Sequence, residues 1–165
     1  MTGKMKAVLM MLGLLLVLPG ASFAQKKIWT KTRPPINVTH IFQGEINRRG
    51  KPTGYHALFN GKKVETARIV RVKSKPNKAG VYTAEVEILD KKSGKWKRKF
   101  STMYPDKMKA PEILKAVQYA YKHRKKGRDT PWRGPSGHGF PIEGYLLKNG
   151  KINTAYPIYL RDRKK

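Results

Sequence analysis

The clearest alternation of apolar and polar positions runs from residue 82 to 89, where Tyr82, Ala84, Val86 and Ile88 fall on one side and Thr83, Glu85, Glu87 and Leu89 on the other. A period of two predicts a β-strand. A weaker apolar stretch, Val64 to Lys73, precedes it across the turn-like segment Lys75–Gly80, and Lys92-Ser93-Gly94 reads as a hairpin turn into a further strand, Lys95–Tyr104. The period then changes. Ile113, Leu114, Val117 and Tyr121 recur at helical spacing behind Pro111 and Glu112, and cations from Lys122 to Lys126 crowd the far end, as a helix dipole favours. This predicts one helix closed by Gly127. Phe140–Leu147 and Ile152–Leu160 read as a last hairpin around Asn149-Gly150, a pair suited to a two-residue type I′ turn. Two stretches follow neither period and are expected as loops: Ile36 to Ala57, and Gly127 to Gly139 with Trp132 and His138. The order of elements predicts an α+β fold with antiparallel sheets, one main helix and functional residues carried on loops.

The beginning of the chain has a different character. Lys4 and Lys6 precede the apolar run Ala7–Leu18, Pro19-Gly20 breaks it, and Ser22-Phe23-Ala24 offers small residues for cleavage. A run of this length falls short of the roughly 20 residues a spanning helix needs, so residues 1–24 are expected to be a secretory signal peptide and the mature protein extracellular or periplasmic. Residues 25–35, with Lys26, Lys27, Lys31, Arg33 and Pro34-Pro35, are expected as a basic arm, 36–160 as a single domain and 161–165 as a basic tail. Asn37-Val38-Thr39 matches a glycosylation sequon, a tripeptide too common to carry weight.

Charge narrows the function. With 37 Lys and Arg against 10 Asp and Glu, the 165 residues carry a formal +27, while 39% hydrophobic residues are enough for a folded core. Such an excess calls for a polyanionic partner. So few carboxylates argue against an acidic metal cluster. The absence of cysteine excludes disulfides, thiolate zinc sites and cysteine nucleophiles. No cofactor is implied.

Of the four histidines, His40 and His56 share one irregular segment, within His40-Ile41-Phe42-Gln43-Gly44-Glu45 and Gly54-Tyr55-His56. A ribonuclease working without metal needs one imidazole to take the proton of the ribose 2′-hydroxyl and another to protonate the departing 5′-oxygen, because histidine titrates near neutrality. It also needs a fixed cation beside the phosphorus. Two histidines and surplus lysine meet that requirement. His123 and His138 are expected at the surface. A binder of nucleic acid or anionic envelope polymers without catalysis is the rival reading, with Trp132, Tyr145 and Tyr159 available either to stack on bases or to pack.

Four ordered blocks, His40-Ile41-x-x-Gly44-Glu45, Gly54-x-His56, Ser101-Thr102-Met103-Tyr104-Pro105 and Ile152-x-Thr154-Ala155-Tyr156-Pro157, resemble the bacterial EndoU nuclease domain, related to coronaviral and animal uridylate-specific endoribonucleases. The resemblance runs from about Ile36 to Ile158. It implies an endoribonuclease that cuts single-stranded RNA at uridines by transesterification, leaving 2′,3′-cyclic phosphate. It also implies an RNA substrate and, if the protein is an interbacterial toxin, an acidic immunity protein. His40 and His56 would be the catalytic pair, by analogy with His56 as base and His40 as acid, an assignment the sequence leaves open to exchange. The catalytic lysine would precede the Ser-Thr block, where Lys97 and Lys99 both qualify and Lys99 is the nearer. Thr154 and Tyr156 would line the base pocket. Tyr55 stands where many relatives have a second glycine, and Phe100 separates Lys99 from Ser101.

Overall fold

A computed structural model describes residues 26–125, 127 and 130–162. The leader expected over 1–24 lies outside the described residues, as do Lys126, Arg128 and the end of the tail, 163–165. In chain order the elements are α1 (Val38–Phe42), β1 (Glu45–Ile46), β2 (Pro52–Thr53), β3 (Ala67–Ser74), β4 (Tyr82–Asp90), β5 (Lys95–Met103), α2 (Ala110–Lys122), β6 (Trp132–Pro135), β7 (Pro141–Leu146) and β8 (Ile152–Pro157). Strands adjacent in sequence pair antiparallel, giving a β1-β2 ribbon and two three-stranded sheets, β3-β4-β5 and β6-β7-β8. This is the α+β fold with antiparallel sheets and one main helix that the patterning predicts.

Each large sheet has its own core. The inward side of β4 (Tyr82, Ala84, Val86, Ile88) packs with Ala67, Met103 and Tyr55. On the other face of β4, Glu87 is also shielded, because Arg68 from β3 and Arg98 from β5 close on its carboxylate at 2.7 and 3.0 Å. The second core buries the stripe of α2, including Ile113, Val117 and Ala120, against Trp132, Ile142 and Ile152 of the β6-β7-β8 sheet, with Ile36, Ile41 and Phe42 filling its edge.

Four local expectations change. The segment 36–57 is not all loop: Asn37 accepts from the His40 amide and caps the five-residue α1, too short for a 3.6-residue period to show. Being fully buried at that cap, Asn37 is no glycosylation site. The segment 127–139 contains β6, whose Gly134 and Pro135 hide its strand character; it is an edge strand, where proline is tolerated. Helix α2 ends at Lys122 with His123 as its cap, before Gly127. The last hairpin does not turn through a two-residue type I′ loop. Asn149 keeps a negative φ, and Gly150 at φ 78° closes a longer connection in which Gly150 N donates to Leu147 O and Leu147 N to Lys151 O.

The basic arm folds back onto the domain. Ile28 N donates to Thr39 Oγ1 at 2.8 Å, and Pro35 O and Asn37 N bond the backbone of Ile152.

Candidate active site

The carbonyls at the end of a helix have no partners within it, and those of α1 hold the segment that carries the second histidine. His40 O accepts from Tyr55 N at 2.8 Å, and Ile41 O from His56 N at 2.7 Å and Ala57 N at 3.3 Å. His56 O in turn accepts from Tyr104 N at 2.8 Å. Tyr55 points into the sheet core and Ala57 into the helix core, which leaves His56 at the seam between them. Gly54 makes this approach feasible: at φ 75°, any Cβ there would land on the His40 carbonyl and within 2.9 Å of its Cδ2. Tyr55 adopts a left-handed φ of 59°. A side chain in that conformation costs about 1–2 kcal/mol, offset here by complete burial of the ring, and burial together with Asp106 pushes its hydroxyl up to about 12.

The two imidazoles meet with ring centroids 6.1 Å apart and have opposite surroundings. His56 Nδ1 lies 2.9 Å from Thr102 O and 3.0 Å from Ser101 Oγ, whose own hydrogen is given to Tyr55 O at 2.7 Å. A carbonyl only accepts, so Nδ1 carries the hydrogen and the lone pair of the neutral ring sits on Nε2. Burial, then the Lys99 ammonium and His40, hold the His56 pKa well below 6.5, against a smaller opposing effect of the Thr102 bond. His40 Nδ1 instead faces a carboxylate, Glu45 Oε2, at 2.7 Å. Glu45 is further held by Asn37 Nδ2 at 3.3 Å and by Lys27 of the arm at 3.2 Å. Burial pushes the Glu45 carboxyl up, but His40 and Lys27 outweigh it and its pKa lies below 4.5.

The structure separates the two lysines. Lys97, Lys99 and Ser101 share the inward side of β5, and Phe100 points away, so it does not interrupt the row. Lys99 Nζ donates to Gly54 O at 3.0 Å, and burial lowers its pKa to about 8. Lys97 is engaged elsewhere: its ammonium bonds Gly50 O at 2.9 Å and Asp90 at 2.7 Å, a bond that holds the Asp90 carboxyl at about 2.

Tyr156 stacks beside His56 with centroids 5.3 Å apart. Its hydroxyl donates to Glu143 Oε1 at 2.5 Å, and burial followed by this bond raises its pKa. Thr154 lies two residues earlier on β8, opposite Tyr145. Among the remaining aromatic candidates, Trp132 is fully buried and serves the core rather than a base platform. The His123 ring lies tilted against Tyr119 with centroids 4.1 Å apart, and His138 lies 3.7 Å from Glu112, both surface placements. Among the described residues, no three His, Asp or Glu side chains gather as a metal site.

Sequence patterns assign no role to Asn37, Glu45, Ser101 or Glu143. Glu45 and Ser101 stand within the ordered motif blocks, but only the fold sets them against imidazole nitrogens. Asn37 stands only in a sequon that points to a different role, and Glu143 lies outside any signal.

A relative from Bacillus cereus described as "Toxin" is 34% identical over 128 residues, 74% of this chain and 22% of that protein, so the chain spans about a fifth of its length. No solved structure matches the chain. The family model described as "Bacterial EndoU nuclease" matches residues 36–159, a span that holds both histidines, both lysines and the Thr154-Tyr156 strand. This chain belongs to the bacterial EndoU nuclease family.

Proposed function

We propose that the protein is a secreted, metal-independent endoribonuclease that cuts single-stranded RNA on the 3′ side of uridines. The observation that carries the reading is the pair of imidazoles 6.1 Å apart with opposite hydrogen-bond surroundings, beside the lowered-pKa Lys99. Neutral His56 takes the 2′-hydroxyl proton at Nε2. The 2′-oxygen attacks phosphorus, the bond from phosphorus to the 5′-oxygen breaks, and protonated His40 gives its Nε2 hydrogen to that oxygen. Glu45 supplies the counter-charge and fixes the His40 ring, and Lys99 faces the extra negative charge of the transition state. The products are a 2′,3′-cyclic phosphate and a 5′-hydroxyl. The hydrogen-bond surroundings thus favour the same base and acid as the family analogy.

Tyr156 packs its ring against the uridine and Thr154 offers its hydroxyl to the uracil edge. The leader exports an enzyme that would damage its producer. The "Toxin" relative supports an interbacterial role, with an acidic immunity protein as partner.

The test is cleavage of a uridine-containing oligonucleotide in chelator by the wild type, His40→Ala and His56→Ala, with the ends mapped. Each substitution is expected to slow cleavage by about 10²–10⁴-fold. Intact RNA with wild type would leave only a cationic binder. Cleavage lost in chelator would overturn the metal-independent mechanism.

A further inference from the structure

The outer face of the β3-β4-β5 sheet, opposite the side that carries Lys99 and Ser101, meets the imidazole site through Tyr156, which stacks on His56. There the cross-strand rows are Arg71, Glu85 and Phe100, and beside them Ser74, Thr83 and Thr102. A groove of about 570 Å³ opens over the second row, lined also by Tyr156, Tyr159 and Arg161. That volume lies in the range of small-molecule sites. Phe100 forms part of its wall with 59% of its surface exposed, although it sits between charged neighbours on a sheet face. Lys73 and Arg133 add cations, and the groove's carboxylate, Glu143, is engaged by Arg133 and Tyr156. An exposed aromatic ring, hydroxyls and cations suit a base with its phosphate.

The position fixes which nucleotide. The groove includes Thr102, whose carbonyl holds His56, and Tyr156, which stacks on His56, but neither Asn37 nor Glu45, which hold His40. It therefore continues from the side of the general base, which takes the proton of the attacking 2′-hydroxyl, away from the acid at the leaving group. We infer that this groove binds the nucleotide on the 5′ side of the cleaved uridine, its base stacked on Phe100 and its phosphate near Lys73 and Arg161. The inference rests on the proposed ribonuclease reaction.

The experiment compares kcat/KM for the dinucleotide UpA, for ApUpA with one more nucleotide on the 5′ side, and for UpApA with one more on the 3′ side. Stacking of one base is worth roughly tenfold, so the ratio of ApUpA to UpA is expected near ten in wild type. It falls to about one in Phe100→Ala and is restored in Phe100→Trp. An ApUpA to UpA ratio near one in wild type would overturn the inference. So would a ratio that survives Phe100→Ala, or a 3′ extension whose gain Phe100→Ala removes. No cleavage of any RNA by wild type would overturn the ribonuclease reading, and this inference with it.

Discussion

The cation placed beside the phosphorus should switch off at an unusually low pH. Burial disfavours the Lys99 ammonium and brings its pKa from 10.5 to about 8. If only the protonated form supports the transition state, loss of this proton by itself lowers kcat/KM tenfold per pH unit above that value and roughly a hundredfold at about pH 10, multiplying whatever is lost as the acid His40 gives up its own proton. A lysine left at 10.5 would lose only about 1.3-fold there. On the acid side the plateau should extend below pH 6.5, because His56 stays neutral there. The assay is kcat/KM on an oligonucleotide with one uridine, from about pH 5 to 10 at constant ionic strength, with circular dichroism checking the fold. Lys99→Arg is measured in parallel; a guanidinium stays charged throughout, so the break near 8 should vanish while the loss of the His40 proton and any titration of the substrate stay. Lys97→Ala, whose lost ammonium is paired with Asp90, should keep the break. A wild-type profile flat to about pH 10, or the same break in Lys99→Arg, would refute the assignment.

Glu45→Gln should lower kcat by about tenfold or more, since a hydrogen bond between charged groups is worth roughly 1.5–3 kcal/mol, with urea midpoints separating lost orientation from lost stability. Because the Glu45 pKa is lowered on folding, its stabilisation is present above about pH 4.5 and fades as pH falls through the folded value, so wild type and Glu45→Gln should converge in stability in acid. Gly54→Ala should both destabilise the protein and abolish cleavage, because the added Cβ meets the His40 backbone at a positive φ; normal activity in this variant would contradict the described seam. Trp132→Ala should cost about 3–5 kcal/mol in denaturant unfolding without a selective loss of RNA affinity in binding assays at temperatures where it remains folded. Raising salt should weaken RNA binding with a log-log slope of about −0.7 per phosphate contacted, measured by fluorescence anisotropy; a flat salt response would contradict a charge-driven interface.

Part of the fold is legible in the order of residues. The alternation from Tyr82 to Leu89 and the stripe from Ile113 to Tyr121 mark β4 and α2, because long elements with one buried face write their period into the sequence. The five residues of α1 escape because they complete fewer than two helical turns, and Trp132-Arg133-Gly134-Pro135 escapes because its glycine and proline mask the alternation that its burial follows. His40, His56 and Tyr156 stand out through ordered motifs, and the fold brings them together with Lys99 at one seam.

The sequence by itself determined the long elements, the excess of cations and the residue types available for proton transfer. Choosing between Lys97 and Lys99 was beyond it, since both occupy one strand face, and only the folded segments beside that strand show that Asp90 engages the first while Gly54 O receives the second. The different surroundings of the two histidines were equally hidden. They arise from contacts across 5 and 46 positions, Glu45 for His40 and Thr102 for His56. Tertiary structure decided them because a proton's preferred location depends on which oxygen faces each nitrogen, and the longer of these contacts is set by packing between cores rather than by local order.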